Sequence, residues 1–241
     1  MAGSETPGSK LPESVARGLV ITLDGPAGSG KTSTAQAVAK QLGFRHLDSG
    51  ALYRALTFAF LEEGVPEQEW GTLESEQLSE FKIEVKAEGD RVNIYHDGTL
   101  LTSDLRSPAV TACVSAVAGL PAVRDWLLGV QRSVGANGNL VADGRDMGTV
   151  VFPDADLKVF LIASLKERAR RRLLQDYGHE PAMADIQEEA RRIEERDQAD
   201  RSRSHSPLKR PEGAVEVDTT GLPFEDQVSL ILGRVKDLTP L

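Results

Sequence analysis

The sequence predicts an α/β protein of three layers, with a central parallel sheet between helices. Three observations carry that prediction. Short apolar runs recur at 19–23, 140–143, 157–163 and 214–217. Such unbroken runs suit strands buried on both faces, whereas half-exposed strands alternate. Between the runs lie stretches of helical spacing, as at 32–42, where Ala35, Val38, Ala39 and Leu42 share one face. The chain has 241 residues, 40% hydrophobic and 27% charged, enough for one large core carrying an insertion.

In chain order, the run 19–23 ends at Asp24 and a glycine-rich turn, and the helix 32–42 is closed by Gly43. A short strand at 44–47 and a helix at 51–62 follow, until Gly64 and Pro66 break the pattern. The texture then changes. Residues 81–86 and 91–95 alternate apolar and polar, and His96-Asp97-Gly98-Thr99 reads as a hairpin turn into Leu100 and Leu101. Residues 64–106 are therefore expected to form a small inserted domain with antiparallel strands. Helices are predicted at 109–118, 123–134, 165–176, 186–203 and 224–235, with a break at 177–181. The core then comprises 19–63 and 107–241, with a short lid at about 177–203. Residues 1–18, rich in Gly, Ser, Pro and Glu, are expected to be a flexible tail.

Composition narrows the function. The formal net charge is −9, a poor basis for non-specific nucleic-acid binding. A lone cysteine, Cys113, allows neither an intrachain disulfide nor a cysteine-based zinc site. No stretch approaches the ~20 apolar residues of a membrane span, and the N-terminus lacks a signal peptide's apolar core. A cytoplasmic protein, acting as a monomer without nucleic-acid or membrane partners, is expected. Basic residues gather at 164–210, in an otherwise acidic chain.

The strongest motif is Gly25-Pro26-Ala27-Gly28-Ser29-Gly30-Lys31-Thr32, which fits G-x-x-x-x-G-K-[ST], the P-loop. It follows a predicted strand and opens a predicted helix, as the motif requires. Glycines let backbone N–H groups converge on phosphate oxygens, and the helix N-terminus adds positive charge. Lys31 is expected to reach the β- and γ-phosphates and Thr32 to serve Mg²⁺. A guanine switch is excluded, because none of Asn93, Asn137 and Asn139 precedes a lysine.

Three further clusters stand beside it. In Asp48-Ser49-Gly50-Ala51-Leu52-Tyr53-Arg54, the Arg54 guanidinium suits a phosphate or an exposed helix face equally well. Asp143-Gly144-Arg145-Asp146-Met147-Gly148-Thr149 begins at the C-terminal end of a buried strand, where parallel sheets bind ligands. There Arg145 could take phosphate and Asp146 an exocyclic amine such as cytosine N4; an ordinary surface ion pair is the alternative. Arg168, Arg171 and Arg172 share one helix face, and Arg196, Asp200 and Arg203 another. They suit a lid over phosphates or, with Glu194 and Glu195, a solvated helix pair. The histidines His46, His96, His179 and His205 are scattered and suggest no role.

Taken together, the four clusters resemble the bacterial cytidylate kinases of the nucleoside monophosphate kinase group, from Leu19 to the last helix. The resemblance implies transfer of the ATP γ-phosphoryl group to CMP or dCMP with Mg²⁺. It implies ATP binding by residues 25–32 and Ser33, with Lys31 also catalytic. Arg54 and Arg145 would hold the acceptor phosphate, with Ser49 and Tyr53 beside it. Arg106 and Asp146 would read cytosine, with Ser103 nearby, and Asp200 and Arg203 would approach the ribose. Arg168, Arg172 and Arg196 would act near the transferring phosphate. An alcohol kinase with Asp143 as base, and a regulatory ATP-binding module, are the competing readings.

Overall fold

Strand β1 (Val20–Asp24) is followed by α1 (Lys31–Leu42), β2 (Arg45–Asp48) and α2 (Ser49–Glu62). Then come α3 (Ser75–Glu80), β3 (Ile83–Glu88), β4 (Arg91–His96), β5 (Thr99–Leu100), α4 (Pro108–Val117) and α5 (Pro121–Gly135). The chain ends with β6 (Leu140–Gly144), β7 (Leu157–Ile162), α6 (Leu165–Tyr177), α7 (Met183–Ser202), β8 (Val215–Asp218) and α8 (Phe224–Leu238). This computed structural model describes residues 18–89 and 91–238. The tail expected over 1–18 lies, Gly18 aside, outside the described residues.

One eight-stranded sheet runs β3-β4-β2-β6-β1-β7-β8, with β5 paired to β4. Strands β2, β6, β1, β7 and β8 are parallel neighbours. The central strands β1 and β6 are buried on both faces, as unbroken apolar stretches require, whereas β2, β7 and β8 are buried more fully on one face. Ile21, Leu23, Val141, Val159 and Leu161 pack beneath α1 and α8. Leu47, Leu140 and Ala142 pack beneath α2 and α5. A third cluster, Ala169, Leu173, Ile186 and Ile193, joins α6 to α7. Among the described residues, no single helix is long and apolar enough to cross a membrane.

The antiparallel strands of 64–106 extend this sheet. β4 lies parallel to β2, with His46 opposite Arg91, and antiparallel to β3. Trp70, Leu78, Phe81, Ile94 and Leu101 share one buried cluster with Phe60 and Leu140. Phe60 centres it, with ring centroids 5.7 Å from Trp70 and 4.8 Å from Phe81. Strand β3 begins later than the alternation suggests because Phe81 turns into this core and Lys82 takes a left-handed φ of 49°. The one-turn helices at Glu67–Thr72, Ser75–Glu80 and Ser103–Arg106 are too short to show a period.

Register delivers the site. β1 pairs Asp24 with Gly144, and β2 pairs Asp48 with Asp143. Three carboxylates therefore end their strands at one edge, where the glycine-rich loop leaves β1. Because the insertion and the sheet share a core, Phe60→Ala should lower stability by about 3–5 kcal/mol. Denaturant unfolding followed by tryptophan fluorescence and by far-UV circular dichroism should give coincident single transitions. A separate early transition would contradict the shared core.

Candidate active site

The loop between β1 and α1 is shaped by its glycines. A Cβ on Gly25 would sit 2.1 Å from the Leu161 carbonyl oxygen, and Gly28 has a φ of +74°. Behind the loop stands a buried pair. Arg168 donates to the Ala27 carbonyl at 2.9 Å and to Asp197, while Ala27 N–H donates to Asp197 Oδ1 at 3.0 Å. Asp197 and Arg168 therefore clamp α6 and α7 to the loop. Arg168, expected near the transferring phosphate, lines neither cavity; its charge faces Asp197 and its Nη1 is taken up by this brace.

Two cavities meet at the loop. One is lined by Ser49, Tyr53, Arg54, Arg124, Arg145, Asp146, Arg196, Asp200 and Arg203. The other, about 760 Å³, lies along α6 and α8 and is lined by Gly30, Ser33, Arg170, Arg171, Phe224 and Gln227. Gly28, Lys31, Thr32, Arg106 and Arg172 line both. The guanidinium of Arg54 is aimed by the Leu105 carbonyl at 3.1 Å and Thr111 Oγ1 at 3.0 Å. Ser103 is exposed and lines neither cavity. Pro26 and Ser29 lie within the loop, where Lys31 Nζ donates to the Pro26 carbonyl at 2.6 Å.

Positive charge is crowded here. Burial, then the charge of Arg145, pushes the Lys31 ammonium down to about 7. Burial, then Arg145, likewise pushes Arg196 down to about 10, with Arg54 and Arg172 adding repulsion. The buried Arg196 Nε has no hydrogen-bond partner among the described residues. Counter-charge sits to the side. Asp200 accepts from Arg145 Nε at 2.8 Å and from Arg203. Burial raises this carboxyl, but Arg145 and Arg203 outweigh burial and hold it below the ordinary range. Burial pushes Asp24 up to about 7, against the Met147 and Gly148 N–H groups donating to it at 2.8 and 2.7 Å.

Two residues in contact with the site's carboxylates were not singled out in the sequence. Arg124 donates to Asp146 Oδ2 at 2.5 Å, deep in α5, with its guanidinium 5.3 Å from the Tyr53 ring centroid. The residue beside Asp146 is thus Arg124; Arg106 is half-exposed and lies 3.9 Å from Asp48 instead. An arginine on the mostly apolar buried face of α5, beside Val123 and Leu127, was the available signal. His46 Nε2 lies 2.7 Å from Asp143 Oδ1, and Thr32 Oγ1 donates to Asp143 Oδ2 at 2.7 Å. His46, read in the sequence as incidental, lines neither cavity but contacts a carboxylate that does.

A protein-family model described as cytidylate kinase matches residues 21–237. A cytidylate kinase of Limosilactobacillus fermentum is 41% identical over 220 residues, 91% of this chain and 96% of that protein. One of Carboxydothermus hydrogenoformans is 43% identical over 224 residues, 90% of this chain and 99% of that protein. Among solved structures, a gluconokinase from Sinorhizobium meliloti 1021 is 18% identical, with 92% of this chain and 94% of that one covered and a TM-score of 0.44.

Arg196 is held against neighbouring cations with a buried donor unsatisfied, so the ligand-free fold bears a cost there. Arg196→Met should raise the ligand-free Tm by several degrees, as about 1 kcal/mol would. Differential scanning fluorimetry checks this, and a lower Tm would show the residue to be structurally favourable.

Proposed function

The chain belongs to the cytidylate kinase family, and from that premise we propose that the two cavities hold the reactants end to end, with Lys31, Arg106 and Arg172 between them. The reaction is transfer of the γ-phosphoryl group of ATP to CMP or dCMP, giving the diphosphate and ADP. The observation that carries the arrangement is the shared wall: the loop and three basic side chains line both cavities at once.

ATP lies along the α6–α8 groove, its phosphates over residues 25–33. CMP lies in the inner cavity, its phosphate between Arg54 and Arg145, near Ser49. A phosphate oxygen of CMP forms the new bond to the γ-phosphorus as the bond to the β-bridging oxygen breaks. The attacking oxygen is already anionic near neutral pH, so no general base is needed. Lys31, Arg145, Arg172 and Arg196 meet the charge spread over the transferring group. Both Asp143 oxygens are engaged by His46 and Thr32, which disfavours Asp143 as the base of an alcohol kinase.

The hard oxygens of Thr32 and Asp143, 2.7 Å apart at the shared wall, fit a Mg²⁺ entering with the donor's phosphates. Thr32 would hold it, and bound there it would neutralise β- and γ-phosphate charge. Arg168 keeps a positioning role through Asp197. Asp146 accepts from the cytosine amine while Arg124 donates to its ring acceptors, the place expected of Arg106. Asp200 and Arg203 stand where the ribose follows. Residues 64–106 are assigned to gripping the acceptor, and 177–203 to closing over it. The monomer is taken as the working unit, in the cytoplasm where ATP is supplied.

A coupled assay for ADP release tests this with CMP, dCMP, UMP and AMP. Uracil turns an acceptor toward Asp146 and should lower kcat/KM by about tenfold or more, the worth of one mispaired polar contact. Equal values for CMP and UMP would overturn the assignment of Asp146 and Arg124.

Lys31 offers a second test. Its ammonium, near 7 without ligand, is raised by the phosphates, so ADP binding at pH 8 should take up protons. Calorimetry in buffers of different ionisation enthalpy measures that uptake. Lys31→Arg should lose it, and Lys31→Ala should nearly abolish turnover with the fold intact.

A further inference from the structure

The buried pair of His46 and Asp143 lies behind the part of the site that meets the phosphates. In the β2–β6 register, Leu47 and Ala142 point into one core cluster, while Val141 points into the other, beneath α1. His46 and Asp143 therefore project toward α1, where Thr32 waits. The His46 and Asp143 side chains are 14% and 3% exposed. A carboxylate so enclosed depends on each donor it has. Its oxygens are divided between His46 Nε2 and Thr32 Oγ1, at 2.7 Å each. Because Asp143 accepts, the imidazole carries its hydrogen on Nε2. The same carboxylate acts on the Lys31 ammonium through its charge.

We propose that His46 is a positioning residue for the phosphoryl donor. Its Nε2–H holds Asp143 in the orientation that keeps the Thr32 hydroxyl at the shared wall. With both oxygens engaged, Asp143 does not turn toward Lys31, and the ammonium stays available to phosphates. Without His46, a buried carboxylate short of one donor recruits the cation already acting on it. Asp143 also lines the inner cavity, but Arg54, Arg145 and Asp146 take their hydrogen bonds from other partners, so donor binding, which meets Thr32 and Lys31 directly, weakens more than acceptor binding. The kinetic part of this inference rests on the activity proposed above.

The test compares His46→Leu, His46→Asn and His46→Gln. The glutamine amide nitrogen reaches about as far as Nε2, whereas asparagine's stops short. The readouts are KM for ATP, KM for CMP, kcat, and Kd for ADP by calorimetry in EDTA. His46→Leu and His46→Asn should raise KM for ATP and Kd for ADP about tenfold, a typical cost of losing such a supporting contact. KM for CMP should change far less than KM for ATP, and His46→Gln should restore most ADP affinity. Unchanged ADP affinity in His46→Leu, equal losses for both substrates, or His46→Gln no better than His46→Leu would overturn the proposal. If His46→Leu does not fold, the asparagine–glutamine comparison decides alone. If the wild-type chain releases no ADP in response to CMP, the proposed activity fails, while the ADP affinities still judge His46.

Discussion

Guanidinium groups from separate elements face one another across a single cavity, whose lining carboxylates Asp146 and Asp200 hydrogen-bond Arg124, Arg145 and Arg203 and leave Arg54, Arg172 and Arg196 without a carboxylate of that wall bonded to them. Arg54 comes from α2, Arg145 from the end of β6, Arg172 from α6 and Arg196 from α7. Lys31 lies at their centre with its ammonium pushed down to about 7. Such crowding persists only because the surrounding packing imposes it. A polyanion relieves it, so binding recovers free energy that the empty site withholds. That constraint explains why the cations sit in a sheet-edge cleft, with apolar clusters on both sides of the sheet to hold them.

Carboxylates at the cavity wall and behind it supply the order. Asp197 and Arg168 hold the phosphate loop against α6 and α7. Asp200 ties Arg145 and Arg203 to α7, so an element of the proposed closing segment already grips the strand edge. Asp24 receives two backbone N–H groups from the turn after β6, which sets where Arg145 and Asp146 emerge. Each brace links elements distant in the chain. A shift in one therefore moves the geometry of both cavities.

The antiparallel segment serves the same end by different means. It continues the sheet at β4 and places its aromatic residues beneath α2. Arg54, on α2, is then aimed by Leu105, at the end of the insertion, and Thr111, just beyond it. The acceptor side of the site is thus stiffened by the core it shares with the sheet.

Local pattern carries local structure. The parallel strands, the long helices and the phosphate loop were legible because their periods and glycine spacing act over a few residues. The one-turn helices were not, being shorter than any period. The same limit governs the site. Arg124 pairs with Asp146 across 22 residues, His46 with Asp143 across 97, and Ala27 with Asp197 across 170. A charged residue that turns inward looks, in the chain, like one that faces water. So the sequence alone determined the α/β alternation and the anion-binding loop. The tertiary structure decided that Arg168 braces, that Arg124 rather than Arg106 stands beside Asp146, and that His46 meets Asp143, because a buried charge is defined by partners that only folding brings near.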